Sequence, residues 1–152
     1  MNIEGTNVKD DLWNALRSCQ QESVKTAFSY LSKPKSDKSC LISLPTGAGK
    51  SGVITTVSHF TKKKKILVLC HRRAVCDQLY REIKNDFFEK IHPDHSLALK
   101  NVFNKVDDVS KDGIYVSTFQ KLQTMSEKEF DVLQKNIDVL LVDEGHTEPS
   151  PI

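Results

Sequence analysis

A parallel β-sheet with helices on both faces is the fold class this sequence predicts, and three observations carry the prediction. Apolar runs recur along the chain: CLISL at 40–44, KILVLC at 65–70, IYVST at 114–118 and DVLLV at 138–142. They are near-continuous rather than alternating, the pattern of strands buried on both faces. Segments of helical periodicity separate them, giving the strand–helix alternation of an α/β domain. The first run also opens into a glycine loop, Lys50-Ser51 and a helical pattern, a strand–loop–helix order.

Each element has its own justification. Leu12, Trp13 and Leu16 fall at helical spacing between Asp10 and Leu16. A second helix is expected from about Ser18, where Ser18 to Gln21 has the S-x-x-Q form of a capping box. Val24, Ala27, Phe28 and Leu31 supply its apolar stripe, and Pro34 with the polar run KPKSDKS ends it. The glycine loop is followed by a helix from Lys50 to about Phe60, and the KILVLC strand by a long helix from Arg72 to about Lys90. SLALKNV (96–102) reads as a weaker strand. Helical turns are expected through Leu122 and from Ser126 to Gln134, before the last strand. The chain divides on this reading into a helical segment, 1–33, and an α/β portion, 34–152. Repeats and low-complexity segments are absent, and the lysines at 62–65 read as a solvated turn.

Composition excludes several classes. With 152 residues, 38% hydrophobic, 28% charged and a formal charge of +2, the chain suits one globular domain with a substantial core. It has no run of about 20 apolar residues for a membrane span. MNIEGTNVKDD is too polar and acidic for a secretory signal, so a cytoplasmic setting is expected. Cys19, Cys40, Cys70 and Cys76 fall at no C-x-x-C spacing and read as free thiols, those in apolar runs buried. His92 and His95 have a spacing that can bind metal but lack companions. A pI near 8.3 is weaker than the basic footprint of a dedicated DNA-binding module.

LPTGAGKS (44–51) is the motif with the most chemistry. Gly47 and Gly49 allow the backbone to approach a phosphate closely, with Pro45, Thr46 and Ala48 completing the loop. The following helix offers its unpaired N–H groups to the anion. Lys50 would reach the terminal phosphates and Ser51 would ligate Mg²⁺. Leu44 stands where the general pattern has its first glycine, so the loop is a variant. At the other end, DVLLV runs directly into Asp143 and Glu144, placing two carboxylates at the carboxyl edge of a parallel sheet. Asp143 would hold Mg²⁺, and Glu144 would orient or deprotonate an attacking water. The combination points to ATP hydrolysis. NKVD (104–107) matches the guanine-reading signature of GTPases, but no glycine lies between Gly52 and Gly113 to supply the D-x-x-G element, and NKVD precedes the acidic strand.

Together, PTGAGKS and DEGH resemble motifs I and II of superfamily 2 helicases, with Gly145 in place of the usual alanine. LRSCQQESV is similar to the L-R-x-x-Q element of the type III restriction enzyme and Rad3-like branches. That resemblance implies a RecA-like P-loop domain binding ATP and Mg²⁺, in which Gln20 reads adenine with Arg17 alongside, and His146 couples the nucleotide site to neighbouring motifs. ILVLCHRRAVCDQL resembles motif Ia and IYVSTFQKL the V-x-T-F-Q-x-L element, implying nucleic-acid contacts at Arg72, Thr118 and Gln120. DNA is the expected substrate ahead of RNA, with restriction or anti-phage defence as a setting. In that family a motif III strand lies between the motif I and motif II strands, and a second RecA-like domain supplies arginines. Neither follows His146 here, so the chain is expected to be a truncated first domain, inactive alone and completed in cis or in trans. A nucleotide-binding partner module without catalysis is the competing expectation.

Overall fold

The computed structural model describes residues 1–33, 39–44, 49–91 and 100–143. In chain order the elements are β1 (Asn2–Ile3), β2 (Thr6–Asn7), α1 (Asp10–Ala15), α2 (Ser18–Ser32), α3 (Lys50–Phe60), β3 (Lys65–Cys70) and α4 (Arg73–Arg81). A π-helical turn (Glu82–Asp86), α5 (Phe87–Ile91), β4 (Val102–Phe103), β5 (Gly113–Thr118), α6 (Phe119–Gln123), α7 (Glu127–Asn136) and β6 (Val139–Asp143) follow. They group into two compact units. The first holds β1 to α3, the π turn and α5; the second holds β3, α4 and everything from β4 onward.

In the second unit four parallel strands run in the order β4-β5-β3-β6. Ile66, Val68 and Cys70 lie level with Ile114, Val116 and Thr118 on one side and with Val139, Leu141 and Asp143 on the other. Alternation therefore gives these residues one face of the sheet, and Leu67, Leu69 and Tyr115 the other. The second face carries a core of Leu67, Leu69, Tyr115, Val106, Val109 and Leu133, against which Phe119 and Leu122 of α6 and Ile137 at the end of α7 pack. α4 lies against β3 and β5, and a thiol hydrogen bond from Cys70 to Cys76 puts it over the first face. The sheet is thus parallel and helix-covered on both faces, as predicted. Among the described residues β6 is an edge strand, and its Leu140 and Val142 are 54% and 41% exposed.

The first unit is built on α2 and α3. Val24, Ala27 and Phe28 are buried, the predicted stripe, and Leu31 is half-buried. The cap of α2 sits one residue earlier than expected: Arg17 is the N-cap and the side chain of Gln20, not Gln21, accepts from the Arg17 N–H at 2.8 Å. α1 and α2 are separate helices as read, since Leu16 and Arg17 are extended.

Three further expectations are corrected. CLISL (40–44) forms no strand; Leu41 is 83% exposed and Cys40 is exposed rather than buried. An apolar run becomes a strand only where another strand completes its hydrogen bonds, and among the described residues none does so for 40–44. The weak strand expected at 96–102 does not include Lys100 or Asn101 and runs over Val102–Phe103; its residues 96–99 lie outside those described. The long helix from Arg72 is interrupted by the π turn, where the buried ring of His59 bonds the Ile83 carbonyl at 2.8 Å. π turns and side chains that bond the helix backbone both interrupt a regular α-helix. The hairpin β1–β2 went unforeseen: Glu4 and Gly5 both take positive φ, 47° and 86°, as a two-residue primed turn requires.

Candidate functional site

Half of the predicted nucleotide site lies in the first unit. Gly49 caps the N-terminus of α3 in the left-handed conformation, φ 82° and ψ 47°, so the chain turns sharply from the loop into the helix at Lys50. The turn starts an 11-residue helix, whose first N–H groups lack intrahelical partners, as at any helix N-terminus. Lys50 and Ser51 occupy the first turn, both half-buried, and the Ser51 carbonyl accepts from the Thr55 hydroxyl at 2.7 Å. Pro45, Thr46, Gly47 and Ala48 lie outside the described residues.

Gln20 is 7% exposed and its amide joins two elements. Oε1 accepts from the Arg17 N–H, and Nε2 donates to the Gly49 carbonyl at 2.9 Å. The partners fix the amide orientation, because an N–H can only donate and a carbonyl only accept. The contact depends on two glycines. A Cβ on Gly49 would lie 2.2 Å from Gln20 Nε2, and one on Gly52 would lie 2.7 Å from both that nitrogen and the Phe87 ring. The sequence reading found Gln20 and Gly49 by motif but had no role for Gly52 or Phe87; the small residue one turn into α3 was the available signal. His59, also unassigned by sequence, donates through Nε2, since the Ile83 carbonyl can only accept. Its ring meets the edge of Phe88 at 5.0 Å.

In the second unit the carboxyl ends of β5, β3 and β6 are level: Thr118, Cys70 and Asp143 stand side by side. This is the edge at which open α/β sheets bind ligands. Asp143 is 7% exposed. His71, directly after β3, stacks on Phe119, directly after β5, with centroids 4.7 Å apart. Arg72 is exposed, and its carbonyl accepts from the Cys76 N–H at 2.9 Å, starting α4. Thr118 is the N-cap of α6, its hydroxyl accepting from the Lys121 N–H at 3.1 Å, and Gln120 is exposed in the first turn. The structure therefore brings Arg72, Thr118 and Gln120 to one edge of the sheet: Arg72 in the turn after β3, Thr118 at the end of β5 and Gln120 in the first turn of α6. Phe119 and His71, missed as a pair, were legible only as an aromatic in T-F-Q and a lone histidine. Arg17, the cap of α2, is exposed; Glu144 and His146 lie outside the described residues.

Among the described residues no cluster of three His, Cys, Asp or Glu side chains could hold a metal ion. His92 and His95 are not among them. No helix of the described residues is long and apolar enough to cross a membrane.

Neither curated proteins nor solved structures gave a match to the chain. A protein-family model did: that of the type III restriction enzyme, res subunit, matches residues 14–150. The match takes in the Gln20 element, the phosphate loop, the paired strand ends and the acidic strand. With a four-stranded parallel sheet and a glycine-capped α3 already in place, the chain belongs to the type III restriction enzyme res subunit family and carries its helicase-like, P-loop domain.

Proposed function

We propose that this chain is the nucleotide-binding part of an ATP-driven motor acting on DNA, with the phosphates held at the start of α3. The observation that carries the reading is the hydrogen bond from Gln20 to the Gly49 carbonyl, which ties the adenine-reading element to the phosphate helix. An amide has two hydrogens and two carbonyl lone pairs. Bonds to Arg17 and Gly49 use one of each, so the same amide can still offer one donor and one acceptor. Adenine presents the complementary pair at N7 and N6, and glutamine reads that edge bidentately in other settings. Guanine presents two acceptors there and is disfavoured.

Bound ATP with Mg²⁺ supplies the transferable phosphoryl group and the charge that neutralises it. The residues present suit that group: a hydroxyl at Ser51 and a carboxylate at Asp143 are hard oxygen donors of the kind magnesium takes. Lys50 positions the terminal phosphates by charge. Glu144 is the proposed base for the attacking water. Arg72, Thr118 and Gln120 are the proposed DNA contacts. Exposed Arg72 supplies phosphate charge, while the hydroxyl and amide groups set register. Arginines of a RecA-like domain facing this site would stabilise the charge on the transferred phosphoryl group. A cytoplasmic role in restriction or anti-phage defence fits this reading.

Calorimetric titration of Mg-ATP and Mg-GTP into the chain tests it, beside Lys50→Ala and Gln20→Ala. ATP should bind more tightly than GTP, Lys50→Ala should abolish binding, and Gln20→Ala should narrow the ATP preference. Equal affinity for the two nucleotides in the parent chain would remove Gln20 as the base reader.

A further inference from the structure

We propose that Cys70 and Cys76 form a reversible disulfide site, oxidised by hydrogen peroxide and reduced by small thiols, which closes the turn carrying His71, Arg72 and Arg73. The placement follows from the elements. Cys70 is the last residue of β3 and is wholly buried. Strand alternation assigns its side chain to the face shared with Ile66 and Val68, away from Leu67 and Leu69. Cys76 and Leu79 are the buried positions of α4, spaced as one helix face, and α4 packs on β3. Both thiols thus enter the same layer from opposite sides, and they are joined by a side-chain hydrogen bond. None of the chain's four cysteines is in a disulfide: Cys19 is half-buried and Cys40 exposed, leaving Cys70 and Cys76 as the buried pair.

The chemistry of the pair is asymmetric. The hydrogen bond from Cys70, helped by the Arg73 charge, holds the Cys76 thiol below its ordinary value against burial and the Asp77 carboxylate. Cys76 is the thiolate-forming partner, and the thiolate is the nucleophile. Its sulfur attacks one peroxide oxygen, the O–O bond breaks, and hydroxide leaves to be protonated, giving a sulfenic acid. Cys70 sulfur then attacks Cys76 sulfur; the S–S bond forms, the S–O bond breaks, and the Cys70 proton leaves with the oxygen as water. Overall two thiols and one peroxide become one disulfide and two waters, sulfur being oxidised and peroxide reduced. A small thiol reverses the bond through a mixed disulfide. The link spans a short segment, so its effect is local: it ties the start of α4 to the end of β3 on both sides of Arg72 and Arg73.

Peptide mapping of the folded chain tests this without reference to nucleotide or DNA. After peroxide treatment and alkylation of remaining thiols, trypsin cuts at Arg72 and Arg73 and separates ILVLCHR from AVCDQLYR. The expected product is these two peptides joined, lighter by two hydrogens than their sum, and separated again by dithiothreitol. It should appear no later than oxidation of exposed Cys40, which serves as the internal gauge of dose. Full oxidation of Cys40 while Cys70 and Cys76 both remain alkylatable would overturn the proposal. So would conversion of Cys76 to the sulfinic acid in the parent chain. In Cys70→Ala, by contrast, loss of the resolving thiol should send Cys76 to the sulfinic acid. The mapping of the parent chain decides the matter even if that variant folds poorly.

Discussion

Removing the polar atoms of Gln20 while keeping its bulk should destabilise the chain measurably, because one side chain serves two elements. Gln20→Met is nearly isosteric and deletes both hydrogen bonds, to the Arg17 N–H at 2.8 Å and the Gly49 carbonyl at 2.9 Å. Losing an N-terminal capping interaction typically costs about 1 kcal/mol. A partly buried neutral hydrogen bond contributes about 1 kcal/mol more. The Gly49 carbonyl still accepts from the Gly52 N–H at 3.0 Å, so it is not left bare and no further desolvation penalty is due. Gln20→Met should therefore cost about 2 kcal/mol, on the scale of those two contributions. Gln20→Ala should cost roughly 0.8 kcal/mol more for each buried methylene it removes. For a chain of 152 residues that places the melting temperature of Gln20→Met roughly 4–8 °C below the parent. Urea unfolding of the three proteins, followed by circular dichroism, gives the comparison. A Gln20→Met curve superimposable on the parent would mean the amide contributes nothing to the fold, and the clamp between α2 and α3 would have to be abandoned.

Gly52→Ala should also destabilise, by about 1–3 kcal/mol, although glycine to alanine within a helix normally gains about 1 kcal/mol. The reversal arises because the new methyl meets Gln20 and Phe87 at 2.7 Å, and a stabilised variant in the same urea series would refute that packing. Tyr115 donates its hydroxyl to the Lys111 carbonyl, and burial raises its pKa above 10.0. The unfolded chain then releases this proton first, so the contribution is complete below about pH 10 and is lost as pH climbs through the folded value. Tyr115→Phe should lose about 1 kcal/mol at neutral pH and flatten the alkaline fall; an unchanged alkaline slope would count against it. Burial lowers Lys100 to about 8. Acetylation with an N-hydroxysuccinimide ester at pH 8 should therefore label Lys100 ahead of exposed Lys63 and Lys64, and equal rates on peptide mapping would contradict the shift.

The parts legible in the sequence were those whose signal is local. KILVLC, IYVST and DVLLV pair in a shared sheet, and three to five consecutive apolar residues announce that without knowledge of partners. The cap of α7 was equally readable, since Ser126 accepts from the Glu129 N–H at 3.2 Å as a capping box does. CLISL carried the same local signal and failed, because strand formation depends on a neighbour that no local pattern supplies. The π turn escaped for a related reason: its partner His59 is 24 residues from Ile83. Within the site, motif spacing named Gln20 and Gly49, but their direct bond and its dependence on Gly52 are long-range facts. The stacking of His71 on Phe119 likewise follows from the pairing of β3 with β5, which places Cys70 beside Thr118.

The open edge at β6 bears on how this chain behaves in concentrated solution. Among the described residues its outer row of N–H and C=O groups has no strand partner, and Leu140 and Val142 present apolar side chains on the exposed part of the same strand. A row of unpaired backbone groups beside apolar side chains is a template for strand addition, and hence for self-association. β4, the opposite edge, is only two residues long and offers little to pair with. Solubility should therefore respond to substitution at one edge and not the other: Val142→Lys interrupts the apolar row with a solvated charge and raises the concentration at which the protein stays dispersed.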